Sequence, residues 1–119
     1  MTTVLIVDDD DDVCGLLEAC LGLEGFDVLT ARNGSDALRQ LHENRPALIL
    51  LDLMMPIMDG VEFRRNQAHD PRVRDIPVVC LSARHDAAQT AARLGLAGFI
   101  SKPFDLDAVV TAVRRLCPA

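Results

Sequence analysis

The sequence lacks the features by which a chain enters or crosses a membrane. No apolar run approaches the ~20 residues that a membrane-spanning helix needs, and the first residues lack the basic region of a signal peptide. Clusters of lysine and arginine are also missing, and a formal net charge of −6 opposes binding to nucleic acid or to an anionic membrane. We therefore expect a cytoplasmic protein with neither nucleic acid nor membrane as a direct partner.

Several short functional motifs are absent as well. The four cysteines show no C-x-x-C spacing, which disfavours a zinc site or disulfide framework and indicates buried thiols acting as small apolar side chains. Neither G-x-G-x-x-G nor G-x-x-x-x-G-K-[ST] occurs, so nucleotide binding is disfavoured. No serine lies in a G-x-S-x-G elbow, and His42, His69 and His85 have the sequence context of surface residues rather than of a catalytic base.

What the sequence does contain is typical of one compact domain. Half of its 119 residues are apolar and a quarter are charged, as in globular proteins. No linker, low-complexity tract or change of composition marks a second unit. We predict a single domain over residues 1–119, with no output domain in this chain.

Short apolar runs predict the strands. Residues Val4–Val7, Ala47–Leu51 and Val78–Leu81 lack the alternation of a half-exposed strand, so we expect strands covered on both faces, as in a parallel sheet. Two similar segments, Leu21–Phe26 and Leu94–Phe99, each indicate a helix ending at a glycine, where positive φ costs little, followed by a strand. Five strands are predicted in all.

Between the strands, apolar residues recur with helical spacing. The first and last predicted helices show it most clearly, at Val13, Leu16, Leu17, Cys20 and Leu21 and at Leu106, Val109, Val110, Val113 and Cys117. We expect N-caps at Asp11 or Asp12, at Ser35 and at Asp105, because their side-chain oxygens can accept hydrogen bonds from free backbone N–H groups. The third helix should end before His69. Alternating strands and helices predict an α/β sandwich with helices on both sheet faces.

Polar residues follow four of the predicted strands. Asp8 follows the first strand, Asp52 the third, Ser82 the fourth and Lys102 the fifth. The carboxyl ends of parallel strands lie along one edge of the sheet, where open α/β folds bind their ligands. We therefore expect these four residues to form one site.

An unbroken acidic run extends from Asp8 to Asp12, and such closely spaced like charges repel one another. The start of a helix accounts for the last two or three, because negative charge suits the positive end of the helix dipole. Asp8 and Asp9 lie at the strand end instead, and with Asp52 they offer the oxygen ligands that Mg²⁺ prefers. A metal site is favoured over a solvated acidic surface.

Lys102 is the only lysine among 12 basic residues, so the chain does not use lysine for general solubility. A compact ammonium can pair with a carboxylate and then with a phosphoryl oxygen at the same place. The alternative is a surface lysine before a turn proline. Pro103 leaves open whether the peptide bond between them is cis.

These residues resemble the receiver domain of two-component response regulators, including receivers of the stand-alone, chemotaxis type. The resemblance covers the chain from Val4 to about Leu116. It rests on four motifs in order, Val7-Asp8-Asp9, Leu50–Pro56 with Met58-Asp59-Gly60, Leu81-Ser82-Ala83 and Lys102-Pro103-Phe104. It implies a flavodoxin-like, doubly wound (βα)5 fold, a three-layer sandwich around a five-stranded parallel sheet in the order 2-1-3-4-5.

The resemblance also implies a function in bacterial phosphorelay signalling. Asp52 would accept a phosphoryl group from a phosphohistidine on a sensor histidine kinase or a histidine phosphotransfer protein. Mg²⁺ would be held by Asp9, Asp52 and the backbone carbonyl of Met54, with Asp8 acting through the outer shell or water. Lys102 would offset charge on the transferring oxygens. Such a domain catalyses only its own aspartyl phosphorylation and dephosphorylation.

Ser82 and Phe99 occupy the family's switch positions, where a hydroxyl bonds the phosphoryl oxygen and an aromatic ring turns into the vacated space. The face that a downstream protein would read is formed by helix four, strand five and helix five, here about Asp86–Leu94, Gly98–Ser101 and Asp105–Leu116. The resemblance is compatible with a monomer or with a phosphorylation-dependent dimer.

Two further positions tune the phosphoryl lifetime in the family, and here they are Met54 and Arg84. Methionine cannot orient an attacking water as an amide can, and Arg84 would shield the phosphoryl group. A comparatively long-lived phosphorylated state is predicted.

Two other functions are weighed against this one. A metal-dependent phosphatase of the haloacid dehalogenase type also uses an aspartate after a strand, but it needs a second aspartate where this chain has Met54. A receiver-shaped docking module acting without phosphorylation is the second choice, although such modules usually lose an acceptor or metal-site residue and this chain keeps them all. A stand-alone phosphorelay intermediate is favoured over a domain of a longer regulator.

Overall fold

The computed structural model describes residues 2–117, which form five strands and five helices in alternation. The strands are β1 (Thr3–Val7), β2 (Asp27–Ala31), β3 (Leu48–Asp52), β4 (Val78–Ser82) and β5 (Gly98–Ser101). The helices are α1 (Asp11–Leu23), α2 (Gly34–Asn44), α3 (Gly60–Ala68), α4 (Ala87–Arg93) and α5 (Leu106–Leu116). All strand pairs are parallel, and their order in the sheet is β2-β1-β3-β4-β5. The predicted fold is confirmed.

The two faces of the sheet are covered by different helices. Alternate residues of a strand point to opposite faces, so Val4 and Ile6 of β1 pack with α1 and α5, whereas Leu5 and Val7 pack with α2 and α3. β3 and β4 are buried along their whole length, in agreement with their unbroken apolar sequences. Helix α4 adds a smaller cluster, in which Ala87 packs with Cys80.

Four helices begin at a side chain that accepts hydrogen bonds from the first turn. The caps are Asp10 for α1, Asn33 for α2, Asp59 for α3 and Asp105 for α5. Asp105 is therefore confirmed. The prediction of Asp11 or Asp12 is wrong, because both already lie in the helix and Asp10 is the last acid with an extended backbone.

The predicted cap at Ser35 is also wrong. Asn33 is extended, and its side chain accepts the N–H of Asp36 at 2.9 Å, whereas Ser35 is the second residue of α2. The first residue of α2, Gly34, packs directly on Met58, where a Cβ at position 34 would lie 2.7 Å from a side-chain carbon.

The two similar segments both contain a glycine in the left-handed region, but at different places. Gly25 has φ 92° after α1, and Gly95 has φ 69° after α4. In the aligned segments Gly95 corresponds to Gly22, which still belongs to α1. Helix α1 therefore continues three residues further than α4 before the same kind of ending.

The end of the third helix and the exposure of the cysteines and histidines lie within residues 2–117. Helix α3 ends at Ala68, before His69, as predicted. Cys14, Cys80 and Cys117 are buried free thiols and Cys20 is a half-buried one, while the three histidines are exposed. Within residues 2–117, no helix is long and apolar enough to span a membrane.

Candidate functional site

Three carboxylates meet at the carboxyl ends of β1 and β3. Asp8 directly follows β1 and is fully buried, Asp52 is the last residue of β3 and is 7% exposed, and Asp9 is exposed. One oxygen from each carboxylate lies within 4.8 Å of the other two. The predicted gathering of these acids at one sheet edge is thus present.

Asp8 is held in place from several directions. Its Oδ1 accepts the backbone N–H of Asp10 at 2.9 Å, and its Oδ2 accepts the ammonium of Lys102 at 2.7 Å. Its own N–H donates to the carbonyl of Ala31 on β2, while the thiol of Cys14 lies 3.4 Å from its carbonyl oxygen. These contacts leave Asp8 little freedom to turn.

Lys102 reaches this cluster from the end of β5. Its N–H donates to the carbonyl of Ser82 at 2.9 Å, and its Nζ lies 3.8 Å from Oδ2 of Asp52. Burial alone would lower the pKa of Lys102, but the hydrogen bond to Asp8 and the charge of Asp52 outweigh it and the net shift is upward. The peptide bond between Lys102 and Pro103 is cis.

The electrostatics of Asp52 favour a bound cation. Burial, and then the charge of Asp8, raise the pKa of Asp52 to about 6 from 3.8, against the opposing effects of Lys102 and of the Met54 N–H. That N–H donates to Oδ1 of Asp52 at 3.3 Å. One lysine is therefore too little positive charge for the three acids.

The cluster fits a small hard cation. Octahedral Mg²⁺ with ligands at about 2.1 Å places adjacent oxygens about 3 Å apart and opposite oxygens about 4.2 Å apart. The ligand oxygens of Asp8, Asp9 and Asp52 all lie within 4.8 Å of one another, which is close to the dimensions of this shell. A shift of less than about 1 Å, or a water in place of one direct contact, makes the oxygens compatible with Mg²⁺.

A cavity of 430 Å³ adjoins the acids. It is lined by Asp9, Leu53, Met54, Met55, Asp59 and Arg84. Next to Asp59, Gly60 packs closely on the end of β3, since a Cβ there would lie 2.5 Å from the carbonyl oxygen of Asp52. The N–H of Gly60 donates to the carbonyl of Leu53 at 3.1 Å, which holds the loop against the end of β3.

Arg84 also lines this cavity, and Ser82 precedes it by two residues at the end of β4. Ser82 is buried, and its Oγ accepts the N–H of Arg84 at 3.1 Å. The guanidinium of Arg84 donates to both carboxylate oxygens of Asp86, at 2.9 and 2.8 Å. Phe99 pairs with Cys80 in the sheet register, and it is 43% exposed.

Two residues, Asp59 in the cavity lining and Asp86 bonded to Arg84, were assigned no role in the site from the sequence. Asp59 lines the cavity while capping α3 through the N–H of Glu62, and its place before Gly60 at a helix start was the available signal. Asp86 forms an ion pair with Arg84, and the only sequence signal for this pair is that the two residues are two positions apart.

Comparisons with known proteins agree with this geometry. The family model described as the response regulator receiver domain matches residues 4–114. The transcriptional regulatory protein PrrA of Mycobacterium bovis is 45% identical over 116 residues, covering 95% of this chain and 48% of that protein. The chain thus spans about half the length of that relative.

Solved structures show the same fold. The chemotaxis response regulator CheY4 of Vibrio cholerae matches with a TM-score of 0.90 and 27% identity, covering 98% of both chains. The signal receiver domain of a signal transduction histidine kinase from Syntrophus aciditrophicus matches with a TM-score of 0.89 and 32% identity, covering 98% of this chain and 89% of that one. The chain therefore belongs to the response regulator receiver domain family, the signalling phosphoacceptor domains of two-component systems.

Proposed function

We propose that residues 1–119 form one receiver domain in which Asp52 accepts a phosphoryl group from a phosphohistidine. The donor is a sensor histidine kinase or a histidine phosphotransfer protein. The observation that carries this proposal is the meeting of Asp52 with two further acids and Lys102 beside a cavity of 430 Å³. Such a cavity has room for a phosphoryl group next to the carboxylate.

The transfer is a substitution at phosphorus. An oxygen of Asp52 forms the new O–P bond as the N–P bond to the donor imidazole breaks, and the imidazole nitrogen regains a proton from solvent. A pKa of about 6 leaves most of the Asp52 carboxyl ionised at neutral pH, as a nucleophile requires. Hydrolysis of the acyl phosphate by water later restores the carboxylate and releases inorganic phosphate.

The acids are suited to hold Mg²⁺ for this step. Asp9 and Asp52 would be direct ligands, together with the backbone carbonyl of Met54. Asp8 would act through water, because its two oxygens already accept Asp10 N–H and the Lys102 ammonium. Bound Mg²⁺ supplies charge neutralisation on the transferring oxygens.

Lys102 provides the second positive charge. Its ammonium is bonded to Asp8 at 2.7 Å and stands only 3.8 Å from Asp52. A small rotation of its flexible stem would bring it from the carboxylate to a phosphoryl oxygen. Positioning and charge compensation of this kind account for most of the catalysis of phosphoryl transfer.

Ser82 and Phe99 are proposed to convert the modification into a change of surface. The Oγ of Ser82 already accepts a hydrogen bond, so its proton is available for a phosphoryl oxygen. Phe99 is exposed, and its ring would turn inward when the Ser82 hydroxyl moves to the phosphoryl group. A downstream protein, or a second copy in a phosphorylation-dependent dimer, would read the face of α4, β5 and α5, whose equilibrium the phosphoryl group biases.

Intact mass spectrometry after incubation with acetyl phosphate and Mg²⁺ tests the proposal. One phosphoryl adduct is expected on the wild type, and none on Asp52→Asn or in a magnesium-free control. Asp59→Asn, which lines the same cavity and keeps a capping side chain, should still form the adduct. Magnesium binding by the wild type without any adduct would favour the docking module that acts without phosphorylation.

A further inference from the structure

Helix α4 begins differently from the other four helices of residues 2–117. Those four start after an extended aspartate or asparagine whose side chain accepts a first-turn N–H. Asp86 holds the corresponding position in α4, but it has φ −99° and ψ 16°, and its side chain accepts no hydrogen bond from the helix. Asp86 is therefore a suitable residue type at the N-cap position of α4, but its side chain does not cap the helix.

Arg84 explains why Asp86 does not cap. Its Nε and Nη2 donate to the two carboxylate oxygens of Asp86 at 2.9 and 2.8 Å. A bidentate pair of this kind is one of the strongest side-chain hydrogen-bonding arrangements. It directs both carboxylate oxygens to the guanidinium and away from the N–H groups of the helix.

Arg84 also borders the place that a phosphoryl group would enter. It lines the cavity together with Asp9 and Met54, and its N–H donates to Ser82 Oγ. A phosphoryl group would bring a charge of about −1.5 to −2 and oxygens that a guanidinium binds in the same bidentate manner as a carboxylate. Two acceptors would then compete for one arginine.

Helix α4 is weakly held, so a cap matters to it. It has seven residues, and its buried side chains are the small ones of Ala87, Thr90 and Ala91. The hydroxyl of Thr90 is buried, and it is the one buried side-chain polar atom of residues 2–117 without a hydrogen-bond partner. A short helix with so little buried apolar surface responds strongly to a change at its first turn.

We propose that phosphorylation of Asp52 draws Arg84 from Asp86 to the phosphoryl oxygens, and that the released Asp86 carboxylate then caps α4. This inference rests on the proposed function and adds a route from the site to the face of α4, β5 and α5. Arg84 would then connect the phosphoryl group to the first turn of α4. The unphosphorylated protein keeps α4 uncapped.

Amide hydrogen exchange tests whether Asp86 changes its partner. The amides to follow are those of Ala88 and Gln89, because a capping Asp86 side chain would accept their N–H groups. The exchange is measured by NMR on the full chain, with and without acetyl phosphate and Mg²⁺, while intact mass quantifies the adduct. Protection should rise about fivefold on phosphorylation of the wild type, the factor that an N-cap side chain provides. Arg84→Gln should give similar protection without any phosphoryl group.

Two further variants separate the capping of α4 from the phosphorylation itself. Asp86→Ala should accept the phosphoryl group without any gain of protection. Arg72→Gln removes the guanidinium that binds Asp70 in an equivalent pair away from the site, and it should behave as the wild type.

The measurements distinguish failure of the Arg84 partner exchange from failure of Asp52 phosphorylation. A wild-type adduct without added protection, or unchanged exchange in Arg84→Gln, would overturn the partner exchange while leaving phosphorylation of Asp52 intact. An absent adduct would instead contradict the proposed function, and with it the phosphorylation-driven step.

Discussion

The ammonium of Lys102 lies 2.7 Å from Oδ2 of Asp8, although 94 positions separate the two residues in the chain. They also stand at the ends of strands that are not neighbours, because β3 and β4 lie between β1 and β5. Only a long side chain crosses that distance along the edge of the sheet. The pair therefore joins the first and last strands at the site and neutralises a fully buried acid.

Replacement of Lys102 by methionine should destabilise the magnesium-free protein. The buried Asp8 carboxylate would lose its charge partner, and the free energy of unfolding should fall by about 1–3 kcal/mol. Added Mg²⁺ should recover part of the loss. Urea unfolding followed by circular dichroism measures both effects, with Arg72→Met, an exposed ion-pair variant, expected to unfold at nearly the wild-type midpoint. Equal unfolding midpoints for Lys102→Met and wild type would contradict the role of this pair.

In the absence of metal, the ionised Asp52 carboxylate should lower the free energy of unfolding of the protein. Its pKa is about 6 in the folded protein against 3.8 ordinarily, so the folded state binds more protons between these values and is penalised fully above pH 6. Asp52→Asn should therefore raise the free energy of unfolding at pH 7.5 by about 1–2 kcal/mol, discounted from the full shift because the carboxylate borders solvent.

The same variant has a pH dependence that identifies the cause. The increase in the free energy of unfolding caused by Asp52→Asn should shrink by about half at pH 5. It should vanish below the ordinary pKa, where Asp52 is protonated in both the folded and the unfolded state. Saturating Mg²⁺ at pH 7.5 should also reduce it, because the metal stabilises the wild type alone. Urea titrations at the two pH values measure the difference, and a gain independent of pH would point to packing instead.

The fold and the gathering of the site could be predicted because both follow from strand ends. Apolar runs locate β1, β3 and β4, and parallel strands bring Asp8, Asp52, Ser82 and Lys102 to one edge whatever the loops do. The sequence does not indicate which side chains become partners at that edge. Lys102 lies closer to Asp8 than to Asp52, and this preference depends on its rotamer and on the spacing of the strands between them.

Helix starts show a second limit of sequence reasoning. Within a run of identical acids, only the backbone angles distinguish the capping Asp10 from the residues after it. At Ser35 the residue type was suitable, but Asn33 is the cap, and α2 starts two residues earlier than the pattern indicated, where Gly34 packs on Met58. Backbone geometry marks the first boundary, and a contact with a residue distant in the chain accompanies the second.

Asp9 should contribute more to Mg²⁺ binding than its neighbours in the acidic run. Asp9→Asn removes a ligand of the cluster and should weaken binding about tenfold or more. Asp12→Asn changes the same net charge on an exposed residue of α1 and should alter the affinity less than about twofold. Calorimetry suits the measurement because the chain has no tryptophan or tyrosine. Equal weakening by both variants would indicate a diffuse electrostatic effect instead of a site.

Gly60 should tolerate no side chain, in contrast to a glycine elsewhere in a helix. A Cβ at Gly60 would lie 2.5 Å from the Asp52 carbonyl and 2.8 Å from Leu53 Cα, both of them backbone atoms that cannot turn away. Gly60→Ala should cost more than about 2 kcal/mol and distort the acceptor strand end. Gly15→Ala, with nothing within 4 Å, should stabilise α1 by about 0.5–1 kcal/mol. Thermal unfolding of the two alanine variants distinguishes them.

The residues at positions 54 and 84 should prolong the life of the phosphorylated state. Met54 is 63% exposed at the cavity and has no group that orients a water, while Arg84 offers positive charge beside the same space. Met54→Asn combined with Arg84→Glu should shorten the phosphoryl lifetime by about tenfold, because an amide can position the attacking water and the shielding cation is gone. Loss of the adduct is followed by intact mass after removal of acetyl phosphate. Met54→Leu, which keeps the position apolar, should decay like the wild type, and an unchanged lifetime in the double variant would mean that hydrolysis is controlled elsewhere.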